Sequence, residues 1–339
     1  MSMSSNISAL NCHSKAQCPT VDFDNCTLAT CNIDLAHIRY LPNVAANTLF
    51  VAIFGAALGL QILFGTRYRI WPYMGPMIPG LILEILGYVG RLMMHHNPFN
   101  FSAFLMYLIP LTIGPAFFTA AIYICLGKIV VIYGENISRF RSRTYSYIFM
   151  TCDLIALILQ AAGGAVSSIA KPDDQAMSDA GVNTMIAGLA FQVAALSLFS
   201  LLAADFAMRI RRCPSSLLNE STETFRHSWK WMGFLLSLSI AVLTIYIRSC
   251  FRVAELQGGF TSSLANNEVA LMILESAMVS IAVIFMTIGH PGLISGRQWS
   301  TFTSKGHKAP GYKFVDGSKE PLASSGLEFH TSGGSYSGN

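Results

Sequence analysis

The sequence predicts an all-α fold, a polytopic membrane protein built as a seven-transmembrane helix bundle. Three observations predict it. Hydrophobic residues make up 53% of the 339 positions and charged residues only 12%, whereas a soluble surface carries roughly 25–35% charged side chains. Mean hydropathy is +0.49. Apolar runs recur along the chain, each near the ~20 residues that cross a ~30 Å hydrocarbon core as a helix.

The runs fall at 43–64, 73–94, 102–126, 146–169, 182–206, 230–252 and 268–289. Span two carries Glu84 and Arg91, with Gly87 and Gly90 between and beside them as small residues suited to close helix packing. Span three stays apolar as far as Tyr133 and contains Pro110 and Pro115. Proline removes a backbone donor and kinks a helix, which a bundle tolerates where neighbours satisfy the freed carbonyl. Span four holds Asp153, Gln160 and the Gly163-Gly164 pair, and span five holds Gln192 and Asp205. Arg248 and Arg252 lie in span six, Glu255 and Glu268 at the adjoining boundaries, and Glu275 in span seven.

Loop charge orients the bundle. Sixteen basic residues, from Arg67 and Arg69 after span one to Lys319 in the tail, fall on one side. Only Lys15, Arg39 and Lys171 fall on the other. Positively charged loops stay cytoplasmic, so the N-terminus is expected outside and the C-terminus in the cytoplasm. The net charge of +4 belongs to these loops and implies no nucleic acid. The expected organisation is an extracellular segment 1–42, a transmembrane domain 43–292 and a disordered cytoplasmic tail 293–339.

The first segment has no apolar signal-peptide core. Its four cysteines, Cys12, Cys18, Cys26 and Cys31, suit two disulfides in any of three connectivities on an oxidising side. Asn6 and Asn25 begin glycosylation sequons there. Asn100, Asn136 and Asn219 also begin sequons, of which Asn136 and Asn219 fall on the expected cytoplasmic side, where they should stay bare. The other cysteines read as packing residues or free thiols.

An ionisable side chain inside a span costs roughly 2.5–3.5 kcal/mol on insertion scales, so such residues face the bundle and pair or line a cavity. Glu84 and Arg91 point the same way but sit about 10 Å apart along the axis, too far to pair. Arg252 and Glu255, at i and i+3, can pair. Arg248 is then left over, and Glu275 on span seven is its expected partner. Asp205 is placed to meet Arg209 one turn on. Chain direction sets the heights. Arg91, Arg248, Arg252, Glu255 and Glu275 should form an outer polar layer with Glu84 beneath it. Asp153 should lie in the inner half, and Gln160 near the middle.

Several chemistries are missing. There is no phosphate-binding G-x-x-x-x-G-K-[ST] loop, no H-E-x-x-H helix and no G-x-S-x-G elbow. The eight histidines are scattered. No cofactor or metal site is implied, and an enzyme is not expected.

The segments "YLPNVAANTLF", "EILGYVGR", "IGPAFFTAAIYICLGKIV", "DLIALILQAAGGAVSS" and "IRSCFRVAELQGG", followed by a glutamate pair and "HPG", occur in this order. The chain from about Cys26 to Gly292 resembles the fungal lipid-translocating exporter family, associated with aminocholesterol resistance and sphingoid long-chain base release. The resemblance implies a seven-span protein that moves amphipathic lipids and supports tolerance of toxic lipids and drugs, with the plasma membrane its expected location. The matching positions include Glu84, Tyr88, Arg91, Asp153, Gln160, Gly163, Gly164, Arg248, Arg252, Glu255 and Glu268. One stretch departs. Where relatives carry an aromatic-rich run ending in aspartate, this chain has "EVALMILE", with Glu275 as the acid.

The expected function is therefore translocation of membrane lipids such as sphingoid bases. The alternative is a seven-transmembrane receptor-like sensor of lipid or membrane stress. The "GKIVVIYG" after span three, which lacks Asp-Arg-Tyr, and the absence of Asn-Pro-x-x-Tyr from span seven do not favour the familiar receptor class.

Overall fold

A computed structural model of the protein describes residues 40–134, 142–169, 175–213, 226–257 and 267–296, together with residues 26, 31–33, 36, 38, 138 and 299. Among the described residues, seven helices are long and apolar enough to cross a membrane. They are α1 (Val44–Tyr68), α2 (Trp71–His96), α3 (Phe101–Tyr133), α4 (Ser142–Ile169), α5 (Gln175–Arg212), α6 (Trp229–Gln257) and a composite seventh span. The seventh span starts as α7 (Glu268–Leu271), passes through a π-helical turn (Met272–Ala277) and continues as α8 (Met278–Ile288), before the short α9 (Pro291–Ser295).

Local chemistry sets the ends. The Asn43 and Asn100 side chains accept the Ala46 and Ala103 amides and so cap α1 and α3. Arg69 adopts a left-handed backbone, φ 57°, and its amide closes on the Gly65 carbonyl. Pro72 occupies the first turn of α2, where its missing N–H costs nothing. Pro76 and Pro79 of α2 and Pro110 and Pro115 of α3 lie within helices.

Sequence neighbours are neighbours in space, and the seventh span returns to pack on α1 and α6. Helix α3 also reaches across to α6. It is buried on most of its faces from Ala103 to Ile132. The bundle's outer surface carries large exposed apolar side chains, among them Leu63, Leu154, Leu201, Met232 and Ile288. Such a surface suits hydrocarbon rather than water.

Helix α3 ends at Tyr133, where its apolar run ends. Helix α5 runs well past the apolar segment 182–206 that announced it and covers Gln175–Arg212, 38 residues in all. The apolar run marks where lipid ends, whereas backbone hydrogen bonding continues through the polar flanks. The end of the bundle is also longer than expected. Helix α9 crosses the expected boundary at residue 293, and Trp299 is buried against Phe234, ring centroids 5.7 Å apart. Most of the tail lies outside the described residues, as do Cys12, Cys18, Asn6 and Asn25. A disulfide joins Cys26 to Cys31, one of the pairings the sequence left open.

Candidate functional site

The charged residues of α2, α6 and the seventh span meet inside the bundle. Glu84, Tyr88, Arg91, Arg248, Arg252, Glu255 and Glu275 are all at most 8% exposed. Three carboxylates thus accompany three guanidiniums, but the charges are not paired off one to one.

Glu275 is the hub. Its Oε1 lies 3.2 Å from Arg248 Nη2 and 3.6 Å from Arg252 Nε. The two arginines occupy the same face of α6 one turn apart and repel; a carboxylate shared between them offsets that repulsion. Arg252 also pairs with Glu255 at 2.8 Å and donates to Thr112 Oγ1 at 3.0 Å. Arg248 donates in addition to the Leu111 carbonyl of α3. The π-helical turn covers Glu275 and Ser276, and both are buried. A π turn inserts a residue into an α-helix and re-aims the side chains on it.

Among the described residues, Arg91 is held without a carboxylate. Its Nε donates to Asn47 Oδ1 at 2.9 Å and its Nη2 to the Tyr40 hydroxyl at 3.3 Å. Its guanidinium also lies 5.0 Å from the Tyr107 ring centroid and 5.9 Å from that of Tyr40, within the range of cation–π attraction. Burial raises the pKa of the Tyr40 hydroxyl against the pull of Arg91, so Tyr40 meets Arg91 as a neutral phenol.

Glu84 is the charge left alone. It is 1% exposed, and its Oε1 has no hydrogen-bond partner among the described residues. Among the described residues, Arg248 and Arg252 pair with Glu275 and Glu255 rather than with it. The carboxylate rests over Gly114 of α3, where an added Cβ would lie 2.8 Å from Oε1. Further buried polar atoms have no hydrogen-bond partner among the described residues: Arg91 Nη1, Arg248 Nε and Glu275 Oε2. Buried polar groups in folded proteins are nearly always satisfied. The open valences are thus concentrated in one layer of the bundle.

Three candidates sit elsewhere. Asp153 lies between α3 and α4, its Oδ2 accepting from Thr119 at 2.7 Å and Tyr123 at 3.0 Å. Gln160 bonds to Gln192 of α5 at 3.1 Å. Half-buried Glu268 accepts the Asn43 amide at 2.6 Å at the start of α1. A carboxylate there complements the helix dipole, so Glu268 ties span seven to α1. Sequence reasoning did not single out Tyr40, Asn47, Tyr107 and Thr112, which hold the arginines. The one available signal was Asn47, a polar amide inside an apolar run. The phenols and the threonine look the same as packing residues.

A family description, RTA1 like protein, matches residues 77–298. That stretch contains all of the candidate acids, arginines, glutamine and tyrosine, from Glu84 to Glu275. The chain belongs to the RTA1-like family. It is 34% identical over 309 residues to the sphingoid long-chain base transporter RSB1 of Saccharomyces cerevisiae strain Lalvin EC1118, covering 83% of this chain and 80% of the relative. Two further Saccharomyces cerevisiae proteins are 26% identical. They are protein RTM1, over 63% of this chain and 66% of its own, and protoporphyrin uptake protein 1, over 63% and 67%. No solved structure matches this RTA1-like chain. Family membership agrees with the resemblance drawn from the motifs, and with a multi-pass membrane protein of seven spans.

Proposed function

We propose that this RTA1-like protein translocates amphipathic lipids with a cationic head, sphingoid long-chain bases in the first place, and catalyses no reaction. One observation carries the reading. Glu84 is a buried carboxylate without an ion-pair partner among the described residues, open on one oxygen, at the edge of a layer of unsatisfied polar groups. A long-chain amine would supply the missing donor and charge. Arg91 and Arg248, each with one nitrogen open, would meet the hydroxyl or phosphate groups next to that amine. The name of the RSB1 relative supports the substrate class. The loop charges support an N-terminus outside and place the Arg91–Glu275 layer in the outer half of the bilayer. The plasma membrane is the proposed location.

The test is flux of a fluorescent sphingoid base across vesicles holding the purified protein, with Glu84→Gln beside the wild type. Glutamine keeps the size and one acceptor oxygen but loses the charge. Expected is flux in the wild type and its loss in a variant of unchanged yield. Equal flux in both would remove Glu84 from the path. Lipid binding without flux in the wild type would overturn translocation in favour of a receptor-like sensor.

A further inference from the structure

Asp153 has the same deficiency as Glu84 at a different place. It is 4% exposed, its Oδ1 is buried without a hydrogen-bond partner, and no cationic side chain pairs with it among the described residues. Its other oxygen already accepts two hydroxyls. An uncompensated carboxylate in a membrane interior is costly and points to a role.

The packing of α4 on α5 shows what lies beside it. Toward the far end of α4 the two helices touch backbone to backbone. A Cβ added to Gly163 would lie 2.6 Å from the Gly181 carbonyl oxygen, and one added to Gly188 would lie 2.9 Å from that of Ala156. Small residues permit such an approach, and the Gln160–Gln192 hydrogen bond fastens the same seam. Toward the start of α4 larger side chains, Tyr145 and Phe149 against Leu198, Phe199 and Leu202, take the place of the glycines. A crevice of about 110 Å³ opens there, lined by Thr144, Tyr145, Ile148 and Phe149 of α4 and Leu198 and Leu202 of α5. Its walls are almost wholly apolar. Ile148 is 50% and Leu198 54% exposed, so the crevice opens on the lipid-facing surface.

The crevice leads to the acid. Asp153 follows Phe149 by four residues, about one turn, on the same face of α4. Phe149 and Phe199 pack at 5.3 Å, and both pack on the Tyr123 ring, at 5.6 and 4.6 Å. The Tyr123 hydroxyl reaches Asp153 at 3.0 Å. Only an aromatic partition therefore separates an apolar slot open to lipid from an acid lacking a cation.

We propose that the α4–α5 crevice and Asp153 form a second lipid site, a lateral loading site for a long-chain primary amine. The hydrocarbon tail lies in the crevice, and the ammonium, displacing the Phe149 ring, donates to Asp153 Oδ1. Charge complementarity selects the occupant: a neutral lipid would fill the slot but leave the acid uncompensated. This inference rests on the translocator reading. With the orientation given by the loop charges, the site serves the inner leaflet and precedes Glu84.

The test uses a sphingoid base carrying a diazirine and an alkyne on its tail, photolysed with the purified full-length protein in vesicles, with adducts mapped by peptide mass spectrometry. Expected are adducts within residues 144–149 or 198–202 that an excess of unmodified base abolishes and its N-acyl derivative does not. Asp153→Asn should lose them, although asparagine keeps an oxygen for Thr119 and Tyr123. Leu198→Trp, which fills the slot from the lipid side, should lose them too. Glu84→Gln should lose flux but keep the adducts. Adducts retained in Asp153→Asn, or competed equally by the N-acyl lipid, would overturn the site. Adducts as expected in a wild type that gives no flux would keep the site and reject translocation.

Discussion

Replacing Glu275 by glutamine should destabilise the bundle far more than replacing Asp205 by asparagine, although the Asp205 pair is the shorter. Glu275 is 1% exposed and bridges Arg248 and Arg252, which are 3% and 6% exposed. Removing its charge leaves Arg252 with Glu255 but strips Arg248 of its only ion pair among the described residues. Two unit charges ~4 Å apart at an effective dielectric of ~20 attract by about 4 kcal/mol. Breaking one half of a buried pair costs about 3–5 kcal/mol, so the two scales agree. Asp205 and Arg209 sit 2.8 Å apart, but their side chains are 33% and 38% exposed, and such pairs contribute roughly 0–1 kcal/mol. The assay is thermal unfolding of both purified variants in the same lipid nanodiscs. At roughly 2–4 °C per kcal/mol for a domain of this size, Glu275→Gln should lower Tm by about 6–20 °C and Asp205→Asn by no more than about 4 °C. Equal small shifts would refute the reasoning, because Arg248 would then draw its compensation from elsewhere in the layer.

Two further outcomes can be checked directly. Gly90→Ala should reduce the yield of folded protein, because its Cβ would lie 2.7 Å from the Tyr107 backbone nitrogen and 2.8 Å from the Met106 carbonyl carbon, a clash costing about 1–3 kcal/mol. Gly59→Ala, with no neighbour within 4 Å, should not, and size-exclusion profiles of the two variants separate these outcomes. If the N-terminus is outside, glycosidase treatment should shift the wild-type band and leave a variant with Asn6→Gln, Asn25→Gln and Asn100→Gln unmoved; a shift that vanishes only on changing Asn136 or Asn219 would reverse the orientation.

The spans were legible because crossing a bilayer is a one-dimensional property, set by apolar length. The ends of α5 were not, because helical hydrogen bonding does not stop where lipid stops. Helix rise and chain direction give each charged residue a height, and height sufficed to bring Arg248 to Glu275. Height does not give the angle around the bundle. Asp153 and Gln160, seven residues apart, share a face of α4, yet the partners they meet belong to different helices, α3 and α5. Neutral partners were harder still to see, since Asn47, Tyr107 and Thr112 carry no charge that must be accounted for.

Helix α3 relates the two lone acids. Glu84 rests on Gly114, and Asp153 takes its hydroxyls from Thr119 and Tyr123. Gly114 and Thr119 are five residues apart, about 7.5 Å of helix rise. An amine passing from Asp153 to Glu84 would rise that distance and also turn about 140° around α3, five residues at about 100° each, and would leave one uncompensated carboxylate only to reach another. That spacing gives a reason for both acids to lack cationic partners. An arginine paired to either would compete with the amine at that step, whereas the arginines lie beyond Glu84, where the hydroxyl and phosphate groups of the head would need donors.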